Sequence, residues 1–384
     1  MTHNPLACRT SLGDTAGFSM VELIVSMGIT VMVLGSATMA MNQAMRLNET
    51  AMLTSNMNNT LRIGMDMIVR DMLQVGEGLP TGHVILTPSG VGSVRINMPG
   101  PPGTALQNGA ADVDLNAVNP GTGLGPVING VATDIISVLT SDNTFTDMPL
   151  IALTDTSFDV AATSPSTGQS INIASGPDRL IPGQLVMLEK GATTTLVEIT
   201  AINTASRRVT FANSDSLKLN QTGAAGGNVS ALRATMPPDA PPVPPATPII
   251  PTSATRIRMI SYYLDNTDPT RPRLVRRINN GDPITFDNTL GTAVAMDIEN
   301  LQFSFDMADG LTNPSGVRFT AADVDGTGAC APNPCNANQI RKINIVLTGR
   351  TRQSAQLQGN RFRNTLTSQV SLRGMAFVDE YLAP

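Results

Sequence analysis

Residues 17–45 read GFSMVELIVSMGITVMVLGSATMAMNQAM, and the rest of the chain is organised around them. From Leu23 to Met41 nineteen residues pass without a charge. A helix rising 1.5 Å per residue needs about twenty to cross the hydrocarbon of a bilayer. One membrane span, within 18–41, is therefore predicted. Glu22 stands at its start. A carboxylate at the edge of an apolar helix is costly unless it is neutralised or paired, so Glu22 reads either as a headgroup-depth residue of an ordinary anchor or as a functional acid. An ordinary secretory signal would place its cleavage site after the apolar run, behind a small-residue pattern that Ala37 to Ala40 match poorly.

The helical pattern does not stop at the end of the span. Leu53, Met57, Leu61, Met65, Ile68, Met72 and Val75 recur at spacings of three and four, which puts them on one helix face. No proline interrupts 18–75, so one rod of about 87 Å is predicted at 1.5 Å per residue. Gly76, Gly78 and Pro80 supply the stop. Polar residues fill the opposite face of the second half, which is expected to lie against a soluble domain. Eleven of the twenty methionines fall between Met20 and Met72. Met adapts to irregular neighbours, and it also simply substitutes for Leu in a lipid-facing helix; both readings stand. Gly28 and Gly35 would let another backbone approach closely.

Gly17-Phe18-Ser19-Met20-Val21-Glu22 resembles the type IV prepilin signal: a short polar leader, a glycine, a phenylalanine, an acid four residues later and a long apolar helix directly after. The resemblance implies that 1–17 is a leader removed by a prepilin peptidase, that cleavage falls between Gly17 and Phe18, and that the new amine is methylated. It also implies an amino terminus on the cytoplasmic side, since Arg9 and Arg46 balance and charge alone does not orient the span. Glu22 is then a subunit-contact residue, its charge matched by the amine of Phe18 in an adjacent subunit.

Beyond the helix, 76–133 is rich in Gly, Pro and Asn and is expected to be loop. Residues 134–235 read as an inserted, separately folded β region, with strands at Asp134 to Thr140, Ile151 to Leu153, Gln184 to Glu189, Thr194 to Ile202 and Arg207 to Phe211. Eight prolines in the sixteen residues from Met236 to Pro251 mark an extended linker. After it, strands are expected at Arg256 to Leu264, Pro272 to Ile278, Ala293 to Met307, Gln339 to Thr348 and Thr365 to Arg373. A long helix followed by antiparallel strands predicts an α+β fold, the helix laid on the sheet of a carboxy-terminal domain, 252–384. SYYLD, RLVRR, DIENLQFSFDM and INIVLTGRT look similar to the carboxy-terminal half of PilW-type minor pilins, relatives of the J-type pseudopilins of type II secretion. That resemblance covers about the first 75 residues and most of Arg256 to Arg373, and leaves 81–251 uncovered.

The chemistry of the chain is sparse. Its net charge is −5, it has no Trp, and ten Phe with three Tyr offer few stacking platforms for single-stranded nucleic acid. The Arg271, Arg273, Arg276, Arg277 cluster reads as the polar edge of a strand pair, with phosphate contact as the alternative, and no nucleic acid is expected as a partner. His3 and His83 lack the neighbours that a zinc site or an assisted nucleophile requires. No phosphate-binding glycine motif occurs, so neither enzyme activity nor a cofactor is expected. Asp323 and Asp325 in DVDGTG form half of a calcium loop without its later acidic ligand, which makes a solvated turn the preferred reading. Cys8 lies in the leader. Cys330 and Cys335 remain as an even pair, and in an oxidising compartment they are expected to form one disulfide. The resemblance implies a structural subunit held in the inner membrane, then incorporated with other minor pilins and the major pilin into an extracellular pilus. A secretion pseudopilin, or a tip adhesin acting through the inserted region, are the alternatives.

Overall fold

The computed structural model describes residues 17–79, 84–90, 94–101, 106–107, 114–142, 148–161, 180–191, 193–213, 215–221, 223–224, 229, 232, 252–279, 291–320, 323, 327–352 and 361–375. The chain is α+β, with one long apolar helix at its start and a body of mostly antiparallel strands. Helix α1 runs Met20–Met72. It ends where Gly76 and Gly78 adopt φ of 79° and 68°, a left-handed conformation that only glycine takes without strain.

The helix contributes to two units, one extending to Thr54 and the other beginning at Ser55. In the first, every residue from 17 to 48 is exposed. This segment is long and apolar enough to cross a membrane. The hydroxyls of Ser26, Thr30, Ser36 and Thr38 donate to the carbonyls of Leu23, Ser26, Val33 and Gly35 at 2.7–2.9 Å, so the polar side chains inside the apolar stretch are satisfied by the helix itself.

In the second unit the end of α1 is followed by short strands, β1 (Val84–Leu86), β2 (Asn97–Met98), β3 (Leu106–Gln107), β4 (Asp114–Asn116), β5 (Val118–Gly121), β6 (Val127–Ile128) and β7 (Val131–Ala132). The expected loop at 76–133 is thus partly strand. Ile85, Ile96, Leu106 and Leu115 are each buried in one apolar cluster with residues of the longer strands. Next come β8 (Ile135–Ser141), β9 (Met148–Leu153), β10 (Ser157–Val160), β11 (Leu185–Lys190), β12 (Thr193–Glu198), β13 (Ala201–Asn203) and β14 (Arg208–Thr210). The carboxy-terminal strands are β15 (Ser253–Asp265), β16 (Arg273–Ile278), β17 (Thr292–Met296), β18 (Ile298–Met307), β19 (Ile340–Arg350) and β20 (Arg363–Ser371). Two expected strands are split. Thr194 to Ile202 breaks between β12 and β13, and Ala293 to Met307 breaks at Asp297, whose φ of 60° turns the chain.

Strand β15 corrects the expected domain plan. Its first half pairs with β11 and β9, its second half with β8 and β16, in one sheet of 13 strands among the described residues. The 134–235 strands are therefore not a separate piece, since they share their ladder with a strand that follows the proline stretch. The pairing is antiparallel throughout this sheet except between β1 and β12. A second sheet, β18-β19-β20, is antiparallel in both its pairs.

The helix stripe meets these sheets as its spacing requires. Met57, Leu61, Met65, Ile68, Met72 and Val75 are buried in one apolar cluster with Phe303, Phe305, Ile343, Ile345 and Leu347. Leu53, the first residue of the expected stripe, is only half-buried. A Cβ at Gly64 would lie 3.1 Å from Ala295 and Leu274, and one at Gly349 3.1 Å from Leu61, so both glycines set how closely helix and strands approach. Two further clusters fill the body: Phe158, Val186, Val197 and Phe211 in one, Leu139, Met187, Ile257 and Tyr263 in the other.

Candidate functional site

The first turn of α1 explains how the residues around Gly17 are held. Gly17 and Phe18 are exposed and precede the helix, and no heavy atom comes within 4 Å of a Cβ built on Gly17. Ser19 is the N-cap: its carbonyl accepts from Leu23 N–H at 3.1 Å and its Oγ from Val21 N–H at 3.4 Å. Glu22 reaches back, and its Oε2 accepts from Ser19 N–H at 3.3 Å. The Ser19 hydroxyl takes the second amide of the helix and Glu22 closes the N-cap amide, which is the carboxylate half of a capping box. A carboxylate in the first turn also lies favourably against the helix dipole. The Ser-x-x-Glu spacing was available in the sequence, but the membrane setting drew attention to the charge of Glu22 and away from its local partner. What the arrangement offers chemically is an accessible Gly17–Phe18 peptide bond ahead of a rigid helix start, with an acid four residues on.

The second sequence candidate resolves differently. Asp323 Oδ2 accepts from Thr320 N–H and Oγ1 at 2.9 Å, Oδ1 from Ala329 N–H at 2.9 Å, and its carbonyl from Cys335 N–H at 3.1 Å. Partial burial raises the carboxyl pKa, but these donors outweigh it and hold the group below the usual carboxylate range. Its oxygens face N–H and O–H donors, the reverse of a cation cage. Asp325 lies outside the described residues, as do His3 and His83. Among the described residues no group of three His, Cys, Asp or Glu is placed to hold a metal ion. Cys330 and Cys335 are joined as a disulfide, with Cα atoms 5.5 Å apart, and Asp323 ties the same loop together.

The arginine cluster is largely matched by carboxylates. Arg273 pairs with Asp265 at 2.7 Å, Arg276 with Asp71 at 2.5 Å, and Arg271 lies 3.9 Å from Asp297. Arg277 Nη1 is 3.4 Å from Gly100 O. The Arg276 pair binds the last turn of α1 to the sheet. Asp71 also accepts from Tyr262 OH at 2.5 Å, and burial, reinforced by the Asp71 charge, pushes the phenol far above its ordinary range. Sequence reading missed this triad because 191 and 205 positions separate Asp71 from its partners.

Two more buried acids were not anticipated. Asp134, just ahead of β8, accepts from Gly123 N–H, Phe303 N–H and Arg318 Nη2 at 2.8–2.9 Å, and burial nevertheless raises its pKa. Glu198, at the end of β12, lies near Asp215. Burial first, and the charge of Asp215 second, push Glu198 up to about 7 against the pull of Leu217 N–H. Its Oε2 has no hydrogen-bond partner among the described residues. Such a group is a protonated, neutral acid below that pH.

No family model, curated protein or solved structure matches this chain.

Proposed function

We propose that this chain is a minor pilin of PilW type: a structural subunit anchored in the inner membrane by α1 and then carried into a type IV pilus. The observation that carries the reading is the start of the helix. Gly17 and Phe18 stand exposed before a capped first turn, Glu22 is the fourth residue after Phe18, and an apolar segment long enough to span a bilayer follows without a break. The helix then changes character along its length, exposed to residue 48 and packed on the sheets from Met57. Such a division suits a subunit whose helix bundles with others while its body stays outside the bundle. Other minor pilins and the major pilin are the partners on this reading, and the peptidase acts before assembly.

Mass spectrometry of the protein from cells with an intact prepilin peptidase tests the proposal. The expected chain begins at N-methyl-Phe18. Assembled material that retains Met1 would exclude the reading.

A further inference from the structure

Five arginines meet at one end of the sheet β18-β19-β20, on the face turned away from the packed half of α1. Gly349 lies against Leu61 and Asn364 against Asn58, so their neighbours Arg350 and Arg363 project from the other face. These two are direct partners across the ladder. One step further on, Thr351 N–H donates to Phe362 O at 2.8 Å, so Arg350 and Arg363 are a pair without ladder bonds of its own, the kind in which side chains lie closest. The same bond carries the register past the strand ends and brings Arg352 and Arg361 to the next facing positions. The fifth, Arg271, comes from the turn between β15 and β16. Arg350 holds that turn, since its Nη2 donates to Pro269 O at 2.8 Å and to Thr270 O at 3.1 Å.

Like charges set directly opposite on a sheet repel, and the carboxylates at this end do not balance them. Glu299 accepts from Arg363 Nε and Asn129 Nδ2, with Arg350 Nη1 at 3.8 Å. Asp297 has Arg352 Nε at 3.4 Å and Arg271 Nε at 3.9 Å, and Asp268, close to Arg271, accepts from Thr270. Among the described residues four guanidiniums thus meet three acids before Arg361 is counted, and Gln353 to Asn360 contain no acid. Burial first and the Arg361 charge second lower the Arg350 pKa, against the pull of Glu299 and Asp297. Hydrogen-bonding capacity is left over as well. The Nε atoms of Arg271 and Arg350 have no acceptor among the described residues. Arg363 and Arg352 bond these acids through Nε alone, which leaves their Nη groups turned to solvent.

The exposures divide the labour. Arg350 is buried, whereas the side chains of Arg271, Arg352 and Arg363 are 40 %, 59 % and 54 % exposed, open to a ligand. We propose that these arginines form a binding site for a dianion of the phosphate class, with Arg271, Arg352 and Arg363 as the exposed donors and Arg350 as a buried charge behind them. A carboxylate is the poorer match. It brings one charge and two oxygens, and Asp297 and Glu299 already fill that role here. The donors that remain come from three separate side chains, which the three oxygens of a phosphate group can meet together. The site draws on no residue of the apolar half of α1, and the proposal stands apart from the filament reading.

Thermal unfolding of the full chain in non-ionic detergent micelles tests the site, with chloride holding the ionic strength constant. Inorganic phosphate at about 10 mM and about pH 8 should raise the midpoint by roughly 3 °C, and acetate should not. Arg271→Gln and, separately, Arg352→Gln should abolish the rise. Without phosphate neither should lower the midpoint, because each removes a like charge and only a weak surface pair. Arg208→Gln, outside the cluster and paired with Asp159, should keep the full rise. Micelles doped with phosphatidic acid separate the sources of the group. A rise with free phosphate identifies a soluble ligand, and a rise with the lipid that free phosphate does not reproduce identifies a headgroup. The proposal is overturned if neither gives a rise, if the rise survives both cluster variants or is lost in Arg208→Gln, or if acetate matches it. An equal rise with an oligothymidylate lacking a terminal phosphate would overturn it in favour of a nucleic-acid backbone. Both cluster variants unfolding earlier without phosphate would make their contacts with Asp297 structural, and overturn it too.

Discussion

Glu22 occupies the third position of α1, where its carboxylate serves a local bond to Ser19 N–H as well as any contact between subunits. The two roles separate by substitution. Gln at this position can still accept from Ser19 N–H, so Glu22→Gln keeps the cap and loses the charge, whereas Glu22→Ala loses both. If the charge matches a neighbouring amine in a filament, Glu22→Gln is cleaved after Gly17, reaches the membrane, and yet fails to restore normal pilus number in a strain lacking the gene. Full piliation with Gln and none with Ala would assign the residue to the cap alone. Glu198 allows a prediction about pH. Its folded-state pKa of about 7 exceeds the ordinary 4.5, so between those values the native state holds a proton that the unfolded state has lost. Stability from this group is full below about pH 4.5 and declines as pH rises to about 7, by up to roughly 3 kcal/mol at about 1.4 kcal/mol per pH unit. Glu198→Gln should therefore raise the urea midpoint relative to wild type at pH 8 and leave the difference small at pH 4.5. Equal pH slopes in the two proteins would rule the group out.

At the scale of elements, α1 is two helices in physical terms although its hydrogen bonding is continuous. Leu61 is 1 % exposed against Gly349, while Leu34 is 59 % exposed in the apolar half. Leu61→Ala is expected to cost the folded body about 3 kcal/mol, and Leu34→Ala nothing measurable, in thermal unfolding followed through the β signal. An equal loss from both would mean that the apolar half packs within the monomer. The helix was legible in the sequence because its stripe is local: six of the seven expected face residues are buried, and the stop at Gly76 needs no knowledge of the rest of the chain. The longer strands were legible for the same reason, within one to three residues at each end. What the sequence withheld was partnership. Ile135–Ser141 pairs with a strand more than a hundred residues later, and the Asp71 triad spans a still longer separation, so no local pattern marks either. Short strands such as Leu106–Gln107 were hidden because two residues carry no period at all.

For the whole molecule, the proline stretch is where the sequence suggested a boundary and where the sheet crosses it. Strand β15, after the stretch, pairs along its length with β8, β9 and β11, all before it, and its buried residues Ala254, Ile257 and Ile260 contribute to three different apolar clusters. A covalent link at 236–251 is then dispensable once the sheet has formed, because the ladder and the clusters hold the two sides together. A protease site engineered into that stretch provides the test. After cleavage of the folded protein, the piece ending near 240 and the piece beginning near 250 should elute together from a sizing column in buffer and separate only in denaturant. The same logic applies to deletion: removing 134–248 takes away β8, β9 and β11, leaves β15 paired with β16 alone, and strips Met259 and Tyr263 of most of their apolar cluster, so the remainder should be insoluble or unfolded, not a trimmed but working domain. Fragments that part in buffer, each retaining its β signal, would restore the picture of two independent modules and leave 134–235 free to act as a detachable surface unit.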